Sequence, residues 1–158
     1  MGKILKIYTD GSHFKHNGGR LGIGGIIVDE DKIINEFSTE ITKEYLDLYY
    51  KTQDCSNPTM EMLAVLHALY NFKKNIGIDN RIEVYADYQG VESWMNKKWK
   101  INKPYIAKIK DDIDSEINNQ SLRGRIHFNW IRGHQKDISD NTKWNNYVDL
   151  LAKGEKKL

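Results

Sequence analysis

The chain is poor in the features that would place it in several broad classes. It has one cysteine, Cys55, among 158 residues, so no internal disulfide is open to it and no cysteine zinc cluster can form. That scarcity points to a reducing, intracellular setting. No apolar run approaches the roughly 18 residues needed to span a membrane. Met1-Gly2-Lys3 passes directly into a strand-like segment without a secretory or transit pattern. A non-membrane protein of the cytoplasm or nucleus is expected. Only two prolines are present, and no repeat or low-complexity tract marks a linker, so residues 1–158 are read as one domain. Positive charge is in slight excess, and a net +2 does not by itself require a polyanionic partner. Local clustering says more: Lys97, Lys98, Lys100 and Lys103 are interleaved with Trp94 and Trp99, and Lys153, Lys156 and Lys157 crowd the C-terminal end.

Hydrophobic periodicity gives an ordered set of elements. Residues 4–10 form a nearly all-apolar run of the kind buried on both faces of a sheet. Gly22 to Val28 and Ile33 to Ser38 read as two further strands, and the polar turn Asp29-Glu30-Asp31 between them implies an antiparallel hairpin. Pro58 precedes a helix with Met62, Val65, Leu66 and Leu69 on one stripe. Ile82 to Ala86 is a fourth strand, followed by a short helix carrying Val91, Trp94 and Met95. Pro104 opens another helix, with Ile106, Ile109, Ile113 and Ile117 inward. Ile126, Phe128 and Trp130 alternate in a fifth strand, and Trp144, Tyr147, Val148 and Leu151 stripe a last helix. This succession predicts an α/β domain, a mixed sheet with helices on its faces.

Four acids stand at unusual places in that scheme. Asp10 ends the first strand before Gly11-Ser12, and Asp87 ends the fourth. Glu61 falls in the first turn of the helix after Pro58, and Asp149 lies within the last helix, one turn beyond Asn145. Each has an ordinary structural role available. Asp10 can serve a turn, Glu61 can meet a helix dipole, Asp87 can cap the next helix, and Asp149 can be a solvated helix acid. Together they suggest more. If strands one and four are parallel neighbours, their carboxyl ends share the edge where open α/β sheets place their sites. Crowded carboxylates are best explained by divalent cations. His134, on a polar loop after the fifth strand, is a group able to move protons near neutral pH.

The blocks Tyr8-Thr9-Asp10-Gly11-Ser12, Met60-Glu61-Met62, Ala86-Asp87-Tyr88-Gln89, Trp130-Ile131-Arg132-Gly133-His134 and Asn145 to Ala152 resemble, in order, those of type 1 ribonuclease H. The resemblance spans nearly the whole chain. It implies a ribonuclease H-like fold with a five-stranded mixed sheet in the order 3-2-1-4-5 and helices on both faces. It implies an endoribonuclease that cuts the RNA strand of RNA–DNA hybrids, leaving 5′-phosphate and 3′-hydroxyl ends. Two Mg²⁺ ions, replaceable by Mn²⁺, would be held by Asp10, Glu61, Asp87 and Asp149. Their charge of about +4 would offset the −4 of the carboxylates. His134 would assist catalysis. Gly11, Ser12, Asn17, Asn57, Gln89 and Asn145 would contact substrate, and a monomer is expected.

Some positions depart from the family pattern. Tyr88 replaces a small residue, and Pro58 replaces a second asparagine after Asn57. An insertion at roughly 41–54 carries Tyr45, Tyr49 and Tyr50, whose helical spacing favours packing over base stacking. The basic arm after Trp99-Lys100 looks truncated. Two other functions share parts of this picture: a hybrid-binding module without chemistry, and a different metal nuclease of the same fold, such as a junction resolvase or integrase-like strand transferase. Asp10, Glu61, Asp87, Asp149 and His134 together argue against the first, and Glu61 with His134 against the second.

Overall fold

A computed structural model describes residues 2–13, 21–131 and 140–155. Its elements run β1 (Ile4–His13), β2 (Leu21–Asp29), β3 (Lys32–Glu40), α1 (Lys43–Tyr50), α2 (Asn57–Asn71), α3 (Lys73–Ile76), β4 (Arg81–Ala86), α4 (Gln89–Met95), α5 (Pro104–Asn119), β5 (Ile126–Trp130) and α6 (Asp140–Ala152). The strands form one sheet in the order β3-β2-β1-β4-β5. β1 pairs antiparallel with β2 and parallel with β4, and β4 pairs parallel with β5. The expected fold, strand order and parallel β1–β4 pairing are all present.

Side-chain alternation along β1 assigns its two faces. Leu5 and Ile7 enter the large core under α2, α4 and α5, while Tyr8 joins Ile26, Val28, Trp144, Val148 and Leu151 beneath α6. Helices therefore cover both faces, but unequally. α2 is buried over nearly its whole length from Thr59 to Leu69, and not only along the expected stripe. It lies between the sheet and α5, so it has no solvent-facing side to keep polar.

Two helices were not foreseen. α1 occupies the inserted segment, where Thr42 Oγ1 accepts from the Tyr45 amide at 3.0 Å and Lys51 ends the helix at φ 50°. The helical spacing of its tyrosines pointed to packing, but the run is short and buries only Leu46 and Tyr50. The four-residue α3 is below the length at which periodicity speaks.

Candidate functional site

The site is built where β4 ends and its pairing with β1 stops; β1 was expected to end at Asp10 but continues to His13, held by β2. The register pairs Thr9 with Ala86, so Asp10 and Asp87 follow as neighbours on the α6 face. Directly behind them Tyr8 and Tyr85 stack with ring centroids 5.1 Å apart, giving the acids a rigid apolar floor. The Trp130 indole donates to the Asp87 carbonyl at 3.2 Å, which ties the end of β4 to β5. Tyr88 is the N-cap of α4, and its own side chain makes no capping bond.

Glu61 arrives from α2. Because the helix begins at Asn57, Glu61 lies beyond its first turn, not within it, and the dipole explanation weakens accordingly. Gly11 permits the approach. A Cβ there would meet the Met60 carbonyl carbon at 2.4 Å and the Glu61 nitrogen at 2.6 Å, so any larger residue would push α2 off the strand. Gly24, the partner of Asp10 across β1–β2, performs the same service for α6: its Cβ would sit 2.7 Å from the Ala152 nitrogen. Two glycines thus admit two helices around one aspartate.

Ligand oxygens of Asp10, Glu61 and Asp87 all lie within 4.8 Å of one another. Asp149, on α6, is near enough to help raise Asp10. It lies beside this trio, with Oδ2 paired to Lys153 Nζ at 2.9 Å. Asp10 and Glu61 are almost fully buried, at 3% and 4% exposed. Burial, then the charges of Glu61 and Asp87, raise Asp10 well above the usual carboxylate range. Burial and Asp87 push Glu61 up to about 8, against opposing hydrogen bonds from Asp10 and Gly11. One Glu61 oxygen, Oε1, is buried and accepts no hydrogen bond. Hard oxygen donors, mutual repulsion and an orphaned buried acceptor are the properties of a cage for a hard divalent cation, so these residues fit one.

Of the expected substrate contacts, Gly11 lies on the strand between the acids and α2. Ser12, two residues after Asp10 on β1, and Asn145, one turn before Asp149 on α6, are both buried. Asn57 and Gln89, at the starts of α2 and α4, are exposed. Asn17 and His134 lie outside the described residues. Lys153 and Gly24 were not anticipated. The i,i+4 spacing of Asp149 and Lys153 signals the first, and the glycine-rich Gly22-Ile23-Gly24-Gly25 signals the second. Beside the acids a cavity of about 220 Å³ opens between Tyr88, Trp94, Pro58 and residues 100–103, so Tyr88 and Pro58 line a pocket where the family pattern has small and amide side chains.

A family model described as RNase H matches residues 2–157. The chain belongs to the ribonuclease H family. This ribonuclease H is 26% identical over 155 residues to "Ribonuclease H" of Wolbachia sp. subsp. Drosophila simulans (strain wRi), covering 96% of this chain and 94% of that protein. The solved LC11-RNase H1, isolated from compost, superimposes with a TM-score of 0.73 at 23% identity, covering 98% and 96% of the two chains. The same LC11-RNase H1 in complex with an RNA/DNA hybrid gives a TM-score of 0.70 at 21% identity, covering 95% and 97%. At those identities the two structures speak for the fold.

Among the described residues no helix is long and apolar enough to cross a membrane.

Proposed function

We propose that this ribonuclease H hydrolyses the RNA strand of RNA–DNA hybrids. In this reading Asp10, Glu61, Asp87 and Asp149 hold two Mg²⁺ ions, for which Mn²⁺ can substitute. The convergence of three acids around an unsatisfied, buried Glu61 oxygen carries it, within a fold shared with a protein that has been seen bound to a hybrid. Bound cations would supply an activated water and stabilise charge on the leaving oxygen. The protein's own part is positional. The Gly11 amide donates to Asp10 Oδ1 at 3.0 Å and fixes that carboxylate. The Lys153 ammonium holds Asp149 at the edge of the trio. The exposed Asn57 and Gln89 would meet sugar and base edges, and 2′-hydroxyl contacts would select the RNA strand. Gly11, Ser12, Asn17 and Asn145 complete the substrate contacts, and His134 would carry protons as product departs. Residues 1–158 would act as one monomeric catalytic domain in the cytoplasm or nucleus.

Digestion of an end-labelled hybrid with and without Mg²⁺, followed by end-group analysis, tests this reading. The expected products carry 5′-phosphate and 3′-hydroxyl ends and appear only with cation. Asp10→Asn is expected to abolish cleavage while leaving a folded protein that still binds hybrid. Near-parental cleavage by that variant, or preferential cutting of four-way DNA, would overturn the assignment. Calorimetric titration with Mg²⁺ in the presence of hybrid counts the ions.

A further inference from the structure

α1 divides its tyrosines between two tasks. Tyr50 turns inward, 6% exposed, with its hydroxyl donating to Asp112 Oδ2 at 2.8 Å. The Tyr45 hydroxyl meets His67 Nε2 at 3.1 Å. Tyr49 points outward instead, 59% exposed, and its hydroxyl has no partner among the described residues. Packing accounts for the first two, while Tyr49 leans on the Tyr45 ring, with centroids 4.9 Å apart, and still stays largely exposed. Tyr49 forms one wall of a groove of about 400 Å³ between α1 and the start of α5, closed by Tyr50, Lys51, Pro104, Tyr105 and Lys108. Its lining has three aromatic rings and two lysines, with no carboxylate. Lys108 is paired with Asp112 at 2.7 Å, while Lys51 has no acidic partner among the described residues. The groove's Tyr105 also reaches toward the proposed substrate face, its hydroxyl donating to Asp54. Asp54 and Lys103 in turn line the cavity beside Tyr88, the residue that follows Asp87.

Flat rings for stacking beside an ammonium group without an acidic partner, that of Lys51, are the chemistry that holds an unpaired nucleic-acid strand. Resting on the hydrolase reading above, we propose that the α1–α5 groove binds a single-stranded extension of the hybrid. Its bases stack on Tyr49 and Tyr105, and its phosphates face Lys51 and Lys108. The inserted helix thereby lengthens the substrate track beyond the paired region.

Fluorescence anisotropy tests this with a cleavage-dead Asp10→Asn protein, a short blunt hybrid, and the same hybrid bearing an oligo-dT extension at either end of its DNA strand. One extension is expected to tighten binding by about tenfold, and Tyr49→Ser with Lys51→Asn to reduce that gain to about twofold or less. Asparagine suits the left-handed backbone at Lys51, so the single Lys51→Asn protein serves as the well-folded check, with a partial loss of the gain. Equal affinity for blunt and extended hybrids, or a gain that survives both substitutions, overturns the groove while the hydrolase reading stands. A parental protein that neither binds nor cuts blunt hybrid defeats both together. A dimer in light scattering that Tyr49→Ser dissolves would give the groove to a second copy of the chain and overturn the proposal.

Discussion

Carboxylates at the strand ends and carboxylates beside α1 and α5 meet opposite surroundings. At the strand ends, Asp10 and Glu61 are buried among other acids, and both are pushed upward. Beside α1 and α5, partial burial likewise pushes Asp54 up, but hydrogen bonds from Tyr105, Ser56 and Lys103 outweigh it and hold the group down at about 2. Asp112 there accepts from both Tyr50 and Lys108. The second group staples an inserted helix to the body of the protein. The first is arranged at the expense of stability, since repelling carboxylates lower it unless a cation or proton intervenes. Deep burial beside repelling acids, against shallower burial beside donating partners, separates an acid poised for chemistry from a structural one.

That contrast is sharpest on substitution. Glu61→Gln is expected to lower hybrid cleavage by about a thousandfold or more, the scale of several kcal/mol of lost charge stabilisation. It should also raise the melting temperature of the cation-free protein, because it removes one repelling charge. Asp112→Ala should do the reverse: a loss of about 1–2 kcal/mol of stability from two orphaned donors, read in a denaturant titration, with cleavage retained. If Glu61→Gln destabilised the protein as Asp112→Ala does, the two clusters would be alike.

A smaller effect concerns pH. The folded-state values of Asp10 and Glu61 lie above those of the unfolded chain, so the folded protein binds more protons between the ordinary carboxylate range and about 8. Stability contributed by these groups is present below that window and lost as pH rises through it. Melts of cation-free protein should therefore weaken across the window, and Mg²⁺ should restore them. A pH-independent melt would break the account. Smallest is the effect of salt. Lys98 pairs with Glu92 at 2.7 Å and Lys103 with Asp54 at 3.4 Å, so half of the lysine cluster before α5 is already neutralised. Replacing Lys97 and Lys100 with Gln should reduce the salt slope of hybrid binding by about 1–2, measured by anisotropy across a salt series.

How much could be read in advance varied with the range of the interactions. The end of β4 before Asp87 was legible because β-periodicity and turn residues are local signals, whereas β1 runs past Asp10 to His13 because Gly11, Ser12 and His13 keep pairing with β2. The parallel β1–β4 pairing followed from element order. α1 was not legible as a helix, since its stability comes from Tyr50 reaching Asp112 and Tyr45 reaching His67, partners far away in the chain. The close approaches at Gly11 and Gly24 depend on which helix lies over which strand, and no local pattern encodes that.

Residue order alone determined the strands, the family resemblance and the identity of the acids, because each is written in short patterns and their succession. Tertiary structure alone decided that Asp10, Glu61 and Asp87 converge while Asp149 stands beside them, held by Lys153. Distances between remote side chains follow from how closely helices can pack on a sheet, and here that closeness depends on two missing Cβ atoms.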